Sequence, residues 1–438
     1  MYATPLPPRP NLEQYKKLAK DLVKACKTGD REAIREWSKR WLETLATLMD
    51  VPAPDRRDWF RHQPNQIAEF VFARLSKSKC ALADAQFVIA QVHSFKSWAK
   101  FAKHIEALTS TSSSISKFES AADAVVNGDI ATLERLLRED PDLIRAHSTR
   151  EHQATLLHYV AANGVEDFRQ KTPKNAVEVV ELLLKAGAEV DAANWDYGQG
   201  TALGLVATSI HPWLAGVQNA LLEALLDHGA AVDGLPEGWN PLIAALHNDR
   251  PEAAAFLAAR GARLDLEGAA GVGRLDVVKS FFKEESIRTG SGSDRPLLTS
   301  SSDRVSRLQG ATIAQLQSGF IWACEYGRKH VVEFLLDKGV DLRAGQNTGQ
   351  TALHLAVHRG QLEIIKLLLE RGAPLEARNV YGGTVLGQAT WSVIHGERSI
   401  DFVPVIEALL AAGARIEEAD YPTGKERVDE VLRRHGAK

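Results

Sequence analysis

The chain is 438 residues long, 45% hydrophobic and 25% charged, ordinary proportions for a globular protein but too long for one compact core. No window approaches the roughly 18 to 20 apolar residues of a membrane span, and the N-terminal MYATPLPPRP lacks the apolar core of a secretory signal, so a cytoplasmic chain without a membrane anchor is expected. The net charge of −3 conceals an imbalance, with 19 Lys/Arg against 12 Asp/Glu in residues 1–115 and 34 against 44 in the remainder.

Those opposite charges predict docking between the two parts. Nucleic acid is not the expected partner of the basic part, because Lys16, Lys17, Lys20, Lys24 and Lys27 alternate with apolar residues as a solvated helix face does. Asn11 is an N-cap type, and Leu12, Tyr15, Leu18, Leu22 and Val23 recur at helical spacing behind it. A second helix is expected from Arg31, burying Ile34, Trp37 and Trp41, with further helices over 64–75 and 82–107. Trp37, Trp41, Trp59 and Trp98 are read as core. Residues 1–108 thus form a basic all-α leader, and the Ser/Thr-rich 109–116 reads as a linker.

Beyond residue 116 the chain resembles itself at a period of 30-odd residues. The segment 347–379, NTGQTALHLAVHRGQLEIIKLLLERGAPLEARN, resembles a complete ankyrin repeat, with a turn at Gly349, the T-x-L-H-x-A signature from Thr351 to Ala356, Gly360 between two helices, and Gly372 closing the second. Seven further copies carry some of the same landmarks, and the chain is similar to bacterial-type ankyrin repeat proteins with an N-terminal helical leader domain. The expected fold is all-α: an ankyrin-repeat α-solenoid of about eight helix-turn-helix units over 117–420, behind the small helical domain, with a polar capping helix in 421–438. Leu353, Leu355, Ala356, Ile364, Leu367 and Leu368 are the apolar positions that one unit cannot shield alone. Small residues on the first helices, Ala161, Ala245, Ala323 and Ala356, allow close approach.

Insertions are expected near 165–175, 210–216, 286–311 and 393–400, on surface loops. In the fifth unit Asp265 leads straight into a helix, so the turn finger is missing. The resemblance places ligand-contacting residues just before each inter-helix glycine, on a concave and solvated side. The candidate binding residues are Tyr197, Trp239, His247, Asn248, Glu325, Tyr326, Gln350, His358, Arg359 and Trp391, with Asp196 beside Tyr197 on a finger. Glu325, His358 and Trp391 are expected to form a ladder across neighbouring units. His158 and His354 occupy the signature position, where the family uses the ring to hydrogen-bond between repeats.

No Walker loop, His-Glu-x-x-His, nucleophile elbow or Cys-x-x-Cys occurs. Gly268, Gly271 and Gly273 have the wrong order for a phosphate loop, and no Lys-Ser/Thr follows. No cofactor and no metal site are expected. Cys26, Cys80 and Cys324 are too few and scattered for a disulfide frame. The expected function is non-catalytic binding of another protein on the concave groove. The alternative is a small-molecule or catalytic pocket at a dent around the fourth to eighth repeats, using Glu325, Tyr326 and His358.

Overall fold

A computed structural model describes residues 4–49, 53–75, 80–194, 200–282, 311–396 and 400–437, the side chains of 53–62 and 75 excepted. Asp196, Tyr197, the Trp59 side chain, all but the last residue of the 286–311 insertion and part of the 393–400 insertion lie outside the described residues. The chain packs as two compact units, Met1–Asn248 and Asp249–Lys438.

The first unit opens with α1 (Leu12–Lys27), α2 (Arg31–Leu48), α3 (Ala53–Leu75), α4 (Leu82–Val92) and α5 (Trp98–Ala107). Asn11 starts α1 by accepting from the Glu13 amide at 2.9 Å, and Asp30 starts α2 by accepting from the Glu32 amide at 2.9 Å, each satisfying a donor the helix cannot. Tyr15, Leu22, Trp37, Trp41, Ile89 and Phe101 share one core. α3 begins well ahead of the expected residue 64 and carries Pro64 within it. The single helix expected over 82–107 is broken, because Ser94 adopts φ +65° and the Ser97 hydroxyl caps α5 by accepting from the Lys100 amide at 3.3 Å.

α6 (Ser114–Asn127) begins inside the tract expected as a linker. The Ser113 hydroxyl accepts from the Ser116 amide at 3.0 Å and donates to the Ala107 carbonyl at 2.8 Å, making a tight connection from α5. The segment before α8 is hydrogen-bonded to the turn after α4: Arg150 Nη1 donates to the His93 carbonyl at 2.9 Å and the Glu151 amide to the Ser94 carbonyl at 2.8 Å. His104 Nδ1 lies 2.7 Å from Thr149 Oγ1.

The repeats continue with α7 (Ile130–Glu139), α8 (Leu156–Val160), α9 (Ala176–Lys185), α10 (Ala202–Thr208), α11 (Ile210–Leu214), α12 (Gln218–Asp227) and α13 (Pro241–His247). First helices stack in the order α6, α8, α10, α13, and α9 packs on α12 behind them. The second unit holds α14 (Pro251–Ala259), α15 (Leu266–Val272), α16 (Leu275–Ser280), α17 (Ile313–Glu325), α18 (Lys329–Asp337), α19 (Ala352–His358), α20 (Leu362–Glu370), α21 (Val385–His395), α22 (Val403–Ala411) and α23 (Glu426–Arg434). Here α15, α17, α19 and α21 form the inner row, and α16, α18, α20, α22 and α23 the outer.

Ala161, Ala245, Ala323 and Ala356 are all fully buried, and Gly319 brings α17 so close to α15 that an added Cβ would meet Glu267 Cα and Ala270 Cβ at 3.0 Å. Leu353, Leu355, Ile364 and Leu368 are buried, whereas Leu367 is half-buried and Ile365 takes the core position expected of it. No strand forms among the described residues; isolated bridges Asn194–Gly200 and Gly345–Thr351 pin two fingers. Nor is any helix there long and apolar enough to cross a membrane.

Candidate functional site

The signature residues build the frame on which the site stands. In α19 the Thr351 amide donates to His354 Nδ1 at 3.2 Å and its hydroxyl lies 2.9 Å from the same nitrogen. Thr155 and His158 repeat the arrangement at 3.1 and 2.8 Å. With Nδ1 accepting, the proton sits on Nε2, which in His158 faces the Ala192 and Gly200 carbonyls and in His354 those of Gly383 and Ala377. Burial keeps both rings neutral, lowering His158 to about 4 and His354 below its ordinary value.

On the inner face of the second unit, side chains from α19, the turn before it and α21 form a polar array. Gln350 Nε2 donates to Gln388 Oε1 at 3.1 Å, Gln388 Nε2 donates to Ser392 Oγ at 3.3 Å, and His358 Nδ1 lies 3.2 Å from that hydroxyl. Trp391 stands beside it, with its ring centroid 6.2 Å from His358 and stacked on His395 at 4.8 Å and 25°. The indole is 50% exposed while Gln388 and Ser392 are buried. Neighbouring repeats thus hold an outward-facing aromatic in a satisfied polar setting.

Glu325 and Tyr326, expected on a solvated face, are both half-buried. The Glu325 side chain is only 12% exposed, and burial pushes its carboxyl up to about 7. Arg359 Nε lies 3.8 Å from Glu325 Oε1 and works in the opposite direction, favouring the charged carboxylate. Arg359 also pairs with Asp249. Burial likewise pushes the Tyr326 hydroxyl well up, with the Glu325 charge adding to it. The expected ladder therefore joins His358 to Trp391, while Glu325 faces Arg359. These geometries lend no support to an acid/base constellation of Glu325, Tyr326 and His358.

Trp239, His247 and Asn248 belong to the first unit. The half-buried Trp239 indole lies over Gly200 and Gly204, where an added Cβ would come within 2.8 and 2.7 Å of the ring. Its large face serves packing between repeats. His247 and Asn248 are exposed, His247 with its ring partly shielded from water, which lowers its pKa, and Asn248 Nδ2 donates back to the Ala244 carbonyl at 2.8 Å.

The first unit also holds a buried ionic cluster that the sequence reading missed. Glu119 comes from α6, Arg150 from the turn before α8, and Glu166 and Arg169 from the 165–175 insertion, expected on the surface yet buried. Arg150 is paired with Glu166 and lies 3.3 Å from Glu119, which Arg169 meets at 2.8 Å. Tyr159 donates to Glu166 at 3.3 Å. Burial opposes the Glu166 charge, but the two guanidiniums outweigh it and hold the carboxyl well below the usual range. The signal in the sequence is Phe168 between these charges, on which Arg150 and Arg169 stack at 5.9 and 5.4 Å. The 210–216 insertion behaves differently: α11 exposes Ile210, Trp213 and Leu214.

Among the described residues no group of three His, Cys, Asp or Glu side chains could hold a metal ion. In comparisons with known proteins, the family described as "Ankyrin repeats (3 copies)" matches residues 269–379 and 320–420, and "Ankyrin repeat" matches 152–195. No curated protein matches the chain. Among solved structures it is similar to the human ASB11 ankyrin repeat domain, at 20% identity and a TM-score of 0.34, over 68% of this chain and 99% of that one. Residues 152–195 and 269–420 are therefore ankyrin repeats, and the fold is an all-α ankyrin-repeat α-solenoid.

Proposed function

We propose that the chain binds a protein partner on the inner-helix face of its last repeats, with Trp391 as the anchor and Gln350 and His358 around it. Ankyrin repeats generally serve protein–protein interaction. The observation that carries the reading is the half-exposed Trp391 indole, held by His395 on one side with His358 on the other. A rigid aromatic rimmed by polar groups loses little entropy on docking and buries a large area, the usual make-up of an interface anchor.

The test replaces Trp391 with the photo-crosslinker benzoylphenylalanine in cells of the native source. A second chain carries it at Lys366, exposed on the outer helix α20. The proposal expects one protein to be crosslinked from position 391 and not from 366. Crosslinking from 366 alone would overturn it.

A further inference from the structure

α1 and α2 of the first unit pack side by side and leave a cavity between them. α2 folds back on α1 after residues 28–30, and the cavity has a volume of about 760 Å³. Tyr15 and Leu18 of α1 and Trp37, Trp41 and Leu45 of α2 make its floor. The floor is preformed: the Trp37 ring centroid lies 5.3 Å from that of Trp41, and the Trp37 indole N–H donates to the Leu18 carbonyl at 3.3 Å. Leu48, 47% exposed, carries the apolar lining out to solvent. That volume and that mix of aromatic and aliphatic side chains suit a small organic molecule with an apolar body.

The polar groups of the lining set the charge of that molecule. Asp21 is neutralised by Lys24 at 2.9 Å, and the Thr28 and Thr44 hydroxyls donate to the Ala25 and Arg40 carbonyls. Lys17 and Arg40 are exposed and meet no carboxylate among the described residues, and Glu36 meets no cation there. Unpaired positive charge on the lining therefore exceeds unpaired negative charge. Trp41 adds a donor: its side chain is 6% exposed, yet no acceptor among the described residues meets its indole N–H. A buried donor of this kind favours a ligand that brings an acceptor.

We propose that this cavity binds a small amphipathic carboxylate of the fatty-acid class, its chain laid on Tyr15, Trp37 and Trp41 and its carboxylate against Lys17 and Arg40. An uncharged or cationic molecule of the same length would cover the same floor but leave both cations unpaired, so the head group decides selection. The site reaches the contact between the first helices and the repeats through Tyr15. Its ring meets the His93 ring edge-on at 5.3 Å, and the His93 carbonyl accepts from Arg150. A ligand that seats on the folded floor and has no site in the unfolded chain stabilises the first unit.

The experiment titrates the full-length chain by calorimetry with decanoate, decanol and decyltrimethylammonium, which share one chain length. The result expected is saturable binding of one decanoate per chain, with the other two bound at least about tenfold more weakly. Lys17→Glu with Arg40→Glu should weaken decanoate binding by a similar factor, whereas Lys27→Glu with Lys39→Glu, at exposed positions outside the lining, should leave it unchanged. ω-Bromodecanoate should quench part of the tryptophan emission, and that part should vanish in Trp37→Phe with Trp41→Phe. No saturable binding of decanoate to the wild-type chain, decanol or decyltrimethylammonium binding as tightly, or equal losses in the two charge-reversed variants would overturn the proposal.

Discussion

Arg169 Nη1 donates to Glu119 Oε2 at 2.8 Å, tying a segment inserted between the helices of the second repeat to the first helix of the array. Arg150 and Glu166 complete the cluster, so two cations and two carboxylates neutralise each other out of water. Taking one away leaves the others buried and uncompensated. Glu166→Ala should therefore cost about 3 to 5 kcal/mol in urea unfolding. Glu139→Ala, which breaks the exposed Arg135–Glu139 pair, should cost less than about 0.5 kcal/mol. Equal effects would mean the cluster is wet.

Three buried histidines give the first unit a pH response of definite sign. Burial lowers His93 to about 3 and His104 to about 4, as it lowers His158 to about 4. Below pH 6.5 the unfolded chain takes up protons that these folded rings refuse, so stability falls as pH falls from neutrality towards 4. Each ring should cost about 2 kcal/mol at pH 5. Unfolding at pH 7.5 and 5.0 measures the slope, and His104→Gln should lessen it.

Glu325 has the opposite sign. With its folded value raised to about 7 from an ordinary carboxylate value, its contribution is complete at low pH and is lost as pH rises through 7. Glu325→Gln removes the titration, so it should flatten the melting-temperature change of the second unit between pH 5 and 8 by the equivalent of about 2 kcal/mol. A variant with the wild-type slope would place the carboxylate in water.

A double-mutant cycle tests the Trp239 packing. A Cβ on Gly204 would sit 2.7 Å from Trp239 Cη2, so Gly204→Ala should destabilise by about 1 to 3 kcal/mol even though alanine favours helices. In a Trp239→Ala background the same change should be neutral or stabilising. Additive effects would show that the ring lies elsewhere.

Repeat architecture was legible because each unit writes its landmarks locally: the Thr351 to Ala356 signature, the Gly372 closure at φ +79° and the apolar spacing of α20 all follow from short-range rules. Trp391 could be placed by alignment to the inter-helix glycine, since that position lies at a fixed offset. The insertions could not be read this way. Residues 165–175 look like a polar loop, and only the tertiary meeting of Glu166 and Arg169 with Glu119 and Arg150 explains their burial. Glu325 was misjudged for a related reason: its α17 position matches solvated ones in other copies, but Arg359 from the next repeat covers it. Gln388, the hinge of the polar array, lies within a helix where no motif marks it.

The affinity of the partner crosslinked at position 391 for wild-type and Trp391→Ala chains tests the functional account most directly. An anchor tryptophan contributes at least about 2 kcal/mol, so the variant should bind about 30-fold more weakly, with an unchanged melting temperature because the indole is half-exposed. Unchanged affinity in Trp391→Ala, together with loss of binding in Lys366→Glu on the outer face, would contradict it.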